Sequence, residues 1–93
     1  MTVQEWLEEH EEELEDSFLL EPRDVYDQAI LGIMRRCGQQ PLIVYDRELI
    51  IEVLEANGSS YLEAVEWLEY NIEGCWFGAC TPGIVTTVPR VSW

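Results

Sequence analysis

Between Thr2 and Phe18, apolar side chains recur every three or four positions, and nearly every position between them is a carboxylate. Val3, Trp6, Leu7, His10, Leu14 and Phe18 fall on one stripe of a helix, and Thr2 with Glu5 stands in capping-box positions at its start. Glu8, Glu9, Glu11, Glu12, Glu13, Glu15 and Asp16 crowd the remaining circumference. Like charges three and four residues apart destabilise an isolated helix, so this one holds only if its stripe packs against the rest of the chain. The pattern predicts an acidic amphipathic helix over 1–20. It ends at Glu21-Pro22, because the residue before proline avoids helical geometry.

The rest of the chain is punctuated in the same manner. Asp24 is placed to cap a second helix carrying Val25, Tyr26, Ala29, Ile30, Ile33, Met34 and Cys37, with Arg35 and Arg36 in its last turn and Gly38 beyond. The rival reading of this stretch is a strand through Ala29 to Met34, since a short apolar run fits both; caps and the longer period favour helix. Leu42-Ile43-Val44-Tyr45 reads as a short strand, followed by Asp46 as the N-cap of a helix over Arg47–Asn57. That helix turns Leu49, Ile50, Val53 and Leu54 inward and Glu48, Glu52 and Glu55 outward, and Gly58 terminates it. A capping box at Ser60 and Glu63 opens a fourth helix with Leu62, Val65, Leu68 and Ile72 inward and Glu63, Glu66, Glu69 and Glu73 outward. After Gly74 the chain becomes rich in Gly and Pro, and Ile84–Val88 is a second strand, best paired with the one at Leu42. The expected fold is α+β and helix-dominated: about four helices around a minimal two-stranded antiparallel sheet. It forms one domain over 1–93, with an acidic helix at 1–20 and the core at 24–93.

Nineteen Asp and Glu face five basic residues, all arginine, for a formal charge of −14. Such a surface repels nucleic acid, anionic membrane and acidic substrates and attracts basic clefts. Three cysteines at no familiar spacing argue against a disulfide framework and fit a reducing compartment, with buried free thiols as the default. No stretch approaches the roughly 18 apolar residues of a membrane span, and the acidic start is unlike a secretory leader. The expected setting is cytoplasmic.

Catalytic chemistry finds little support. Acid/base work needs one carboxyl raised by a dry pocket beside one that stays charged, which helix-surface stripes do not supply. Cys37, Cys75, Cys80 and His10 number four soft ligands, but their spacing departs from that of structural zinc sites. His10 on an apolar stripe reads as a hydrogen-bonded boundary residue, and a cysteine nucleophile lacks a neighbouring histidine. No phosphate-binding glycine loop or nucleophile elbow is present. The reading is a protein without enzyme activity or cofactor.

The carboxylate stripes are the strongest signal. Glutamates three or four residues apart on a helix lie about 5–6 Å from one another, a spacing comparable with charges along a nucleic-acid strand. An ordinary solvated surface mixes both signs; this one hardly does. The candidate partner-binding residues are therefore Glu8, Glu9, Glu12, Glu15, Asp16, Glu52, Glu55, Glu63, Glu66, Glu69 and Glu73, joined by Trp67 beside the outer face of the fourth helix. The partner is a basic protein surface, with no direct binding of nucleic acid or membrane. The alternative is an assembly module using an aromatic and apolar patch, as a homodimer, with charge serving solubility.

Ala29-Ile30-Leu31-Gly32, Arg36-Cys37-Gly38, Val44-Tyr45-Asp46, and Glu63 through Ile72 followed by Gly74, Trp76, Gly78 and Thr81-Pro82 carry a likeness. Over Ala29 to Pro82 the chain resembles a group of small proteins encoded by bacteriophages and prophages, and the acidic first helix looks like an addition to that pattern. The resemblance implies a phage setting. Small acidic phage proteins resemble inhibitors of host defence, including anti-CRISPR proteins and nucleic-acid mimics, so the implied partner is a host nucleic-acid-binding defence complex.

Overall fold

The computed structural model describes residues 1–76, 78 and 80–88. Helix α1 spans Val3–Glu9, and its Thr2/Glu5 capping box is formed in both directions. It is shorter than predicted. Beyond Glu9 the chain continues as turns to Asp16, held by bonds such as Leu14 N–H to His10 O at 3.0 Å. Crowded carboxylates and the lack of any cation in the last turn explain the early end, since negative charge at a helix C-terminus opposes the macrodipole.

The predicted second helix is overturned along most of its length. Only Arg23–Tyr26 is helical (α2); a 3-10 turn at Asp27–Ala29 follows, and Ile30–Met34 is a strand (β1). Asp24 lies inside α2, whose N-cap Pro22 makes no side-chain cap bond. Gly38 adopts φ 74° in the turn that joins β1 to the next strand, a conformation that favours glycine, and Gln39 N–H bonds to Arg36 O. Two β-branched isoleucines around a glycine gain more from pairing with a buried strand than from helix, in which glycine costs about 1 kcal/mol.

That buried strand is Leu42–Asp46 (β2), whose first four residues are all buried. It is central in a three-stranded sheet of order β1-β2-β3, with β3 at Gly83–Val85. β1 runs antiparallel to β2 with a register irregularity between Ile30 and Gly32, whereas β3 runs parallel to it, pairing Val44 with Gly83. The sheet is thus mixed and three-stranded, not two-stranded and antiparallel. Between β2 and β3 lie α3 (Arg47–Ala56), α4 (Tyr61–Leu68) and one π-helical turn (Glu69–Glu73). A parallel neighbour requires such a crossover, whereas an antiparallel one needs only the short loop joining β1 to β2.

Asp46 caps α3 through its side chain, and Ser60 with Glu63 forms the capping box of α4, as the sequence predicts. The core comprises Leu7, Tyr26, Ala29, Ile43, Tyr45, Ile50, Ile51, Ala64 and Leu68. Large side chains buried to this degree contribute about 1.5–3 kcal/mol each. Ile51 and Ala64 join it where Leu49 and Leu62 were expected; both leucines are exposed, Leu62 at 65%. The expected buried thiols are not found: Cys37 is exposed and Cys75 and Cys80 are half-buried. Among the described residues no helix is long and apolar enough to cross a membrane.

Candidate functional site

The acidic segment after α1 is tied to β2 and to the connection between β1 and β2 by three partners. Arg35 donates from Nε and Nη2 to Glu13, the Ser17 hydroxyl donates to Pro41 O at 3.1 Å, and Leu20 N–H donates to the buried Tyr45 hydroxyl at 2.8 Å. The Arg35 pairing holds the Glu13 carboxyl below its ordinary value. Burial pushes the Tyr45 hydroxyl up to about 12. Glu8 and Glu9 on α1 and Glu12, Glu15 and Asp16 on the turns are exposed on this tethered segment. Glu8, Glu11 and Glu15 border an open groove of ≈ 750 Å³ shared with Leu7, Leu14 and Leu19.

The glutamates of the later elements divide into two kinds. Glu69 and Glu73 on the π turn converge on Arg47 of α3, at 3.6 and 3.2 Å, so their charge is partly neutralised within the fold. Glu52 and Glu55 on α3 and Glu63 and Glu66 on α4 are exposed. Arg23 in turn is held by Asp27, through Nε at 3.0 Å. Three arginines are therefore spent internally, which leaves the exposed face of the described chain dominated by carboxylate.

Glu63, Glu66 and Trp67 share a second open groove of ≈ 730 Å³, together with Pro22, Val25, Tyr26, Leu54 and Tyr70. Trp67 is half exposed and Tyr70 is 83% exposed. The Trp67 indole N–H donates to the Tyr26 hydroxyl at 3.1 Å, which fixes the indole against the buried α2 tyrosine. The same indole borders a neighbouring hollow with Phe18, Leu20 and Pro82. Ser60 N–H, 2.9 Å from Glu63 Oε1, holds that carboxyl below its ordinary value.

The sequence grouped Glu63, Glu66 and Trp67 on the outer side of one helix, and the structure brings them to one groove with Tyr70, Tyr26, Val25 and Leu54, which the sequence did not single out. Tyr70 was detectable, lying one turn from Trp67 and Glu66. Tyr26 was not: it is helical as expected, but nothing local in the sequence brings the second helix beside Trp67, 41 residues on. Trp6 packs half-buried on the core and stacks on His10 with ring centroids 4.7 Å apart, while Trp76 is exposed; Phe77 and Trp93 lie outside the described residues. His10 Nδ1 lies 2.8 Å from Trp6 O, the hydrogen-bonded boundary role foreseen for it.

Chemically, the downward shifts of Glu13 and Glu63 are opposite to what a proton-donating carboxyl needs. Cys75 points its thiol at Asn71 O, and among the described residues no three His, Cys, Asp or Glu side chains gather as a metal site would require. The arrangement sets fixed carboxylates beside a groove lined by aromatic side chains. Comparison of the chain with known protein families, with curated proteins and with solved structures yields no match.

Proposed function

We propose that this chain is a non-enzymatic, anti-CRISPR-like phage protein that inhibits a host defence complex by occupying a basic, nucleic-acid-binding surface in the cytoplasm. The observation that carries the reading is the separation of charge. Exposed carboxylates stand on capped helices and tethered turns, while Arg23, Arg35 and Arg47 are paired internally. Rigidly held charge lowers the ordering cost of docking and speeds encounter with a basic cleft. The phage setting comes from the resemblance over Ala29 to Pro82.

Recovery of the protein from infected host cells identifies what it binds. The triple changes Glu8→Gln/Glu12→Gln/Glu15→Gln and Glu63→Gln/Glu66→Gln/Glu69→Gln are then each expected to weaken that binding and flatten its salt dependence. Binding indifferent to both triples and to salt would overturn the reading.

A second reading is supported by exposed apolar side chains on and just after α4: Tyr61, Leu62, Trp67 and Tyr70 are each at least half exposed. They suit an assembly module in which charge serves solubility. A stable dimer in sedimentation, with Trp67 shielded from quencher, would favour it over charge mimicry.

A further inference from the structure

The groove beside α4 combines two properties that together select a ligand. It is lined by the aromatic side chains of Trp67 and Tyr70 together with the apolar side chains of Val25 and Leu54. Its charged groups are two carboxylates, and the hydroxyls of Ser59, Tyr26 and Tyr70 can accept as well as donate. Glu63 and Glu66 stand one turn apart at the rim, about 5–6 Å between their Cβ atoms. Asn71 and Asn57 commit their amide nitrogens to backbone carbonyls, Trp67 O at 3.2 Å and Val53 O at 3.1 Å, and their side-chain oxygens can only accept. The Trp67 indole N–H is already engaged with Tyr26.

A lining of two carboxylates, further acceptors and two aromatic side chains suits a group that is flat, cationic and donor-only. Guanidinium has five donors and no acceptor, pairs with carboxylate in a fork and stacks on aromatic rings; a lysine ammonium is a compact, strongly hydrated point charge that does not stack in this way. Charge complementarity also excludes an acidic or purely apolar segment, which would sit against two carboxylates. We infer that this groove receives an arginine side chain presented by the basic partner, stacked on Trp67 or Tyr70 and paired with Glu66. The inference rests on the proposed binding of a basic surface and adds that one arginine, not diffuse charge alone, fixes the register of docking.

Acetylated, amidated hexa-arginine and hexa-lysine peptides separate the two ideas, titrated into the full chain at fixed salt with the indole and backbone N–H signals followed by NMR. Hexa-arginine is expected to shift the Trp67 indole signal and the Tyr70 amide and to bind roughly fivefold more tightly than hexa-lysine. Tyr70→Ala and Glu66→Gln, both at exposed positions, should each weaken hexa-arginine about threefold or more while changing hexa-lysine less, and Tyr70→Phe should retain the wild-type preference. Equal affinity for the two peptides, with shifts confined to residues 8–16, overturns the arginine groove and leaves the electrostatic reading standing. No binding of either peptide removes both. Concentration-dependent shifts of Trp67 without peptide would make a second copy of the chain the occupant and likewise overturn the inference.

Discussion

Leu20 N–H donates to the Tyr45 hydroxyl at 2.8 Å, so a backbone group at the end of the acidic segment is satisfied by a tyrosine from the centre of the sheet. Tyr45 is fully buried. Tyr45→Phe keeps the ring and leaves that N–H without its partner, at an expected cost of about 1–3 kcal/mol in urea unfolding.

The same residue sets an alkaline limit. Its folded value, about 12, lies above the ordinary 10.0, so its contribution is complete below pH 10 and is lost as pH rises from 10 through 12. Unfolding monitored from pH 9 to 12 should show this loss in the wild type and lack that component in Tyr45→Phe.

Glu13 supplies the acid-side counterpart. Pairing with Arg35 lowers its carboxyl below the ordinary 4.5, so the contribution is present above pH 4.5 and lost as pH falls through the lowered value. In Arg35→Met the NMR titration of the Glu13 carboxyl is expected to return toward 4.5. An unmoved titration would mean that the ion pair does not form in solution.

Net charge of −14 with little internal compensation predicts a protein stabilised by salt. Raising NaCl from 10 to 300 mM shortens the screening length from about 30 Å to under 10 Å, which suppresses repulsion among the exposed carboxylates more than it weakens the few ion pairs. The melting temperature should rise across that range; a fall would assign the ion pairs the larger share.

Gly74 closes the π turn, where an added Cβ would lie 2.9 Å from Glu69 O and 3.3 Å from Tyr70 O. Both neighbours are backbone and yield only by shifting the turn. Gly74→Ala is therefore expected to destabilise the fold by about 1–3 kcal/mol, measurable as a lowered urea midpoint. It should also disturb the Tyr70 wall of the groove.

Signals local in sequence were the legible ones. Thr2 with Glu5, Asp46, and Ser60 with Glu63 act within three residues of themselves, and each caps the helix it was expected to cap. Ile30–Met34 was misread because its apolar run satisfies two periods, and the deciding factor, a buried strand to pair with, lies beyond the next turn. The parallel seat of β3 has no local signature at all. Charge told against the length of α1, yet counting apolar positions alone carried that helix to residue 20. Within the groove, Glu63, Glu66 and Trp67 could be grouped because one helix presents them, whereas the pairing of Arg47 with Glu69 and Glu73 joins residues too distant for pattern to connect.

The parallel pairing of Val44 with Gly83 also bears on how the chain is made. On a ribosome β2 emerges early, but its second neighbour arrives only after both intervening helices have been synthesised. Until then one hydrogen-bonding edge of the most apolar segment stands open, the kind of template on which nascent chains stick together. The acidic segment has been translated before that edge exists, so mutual repulsion between neighbouring chains is already in place while the edge waits to be filled.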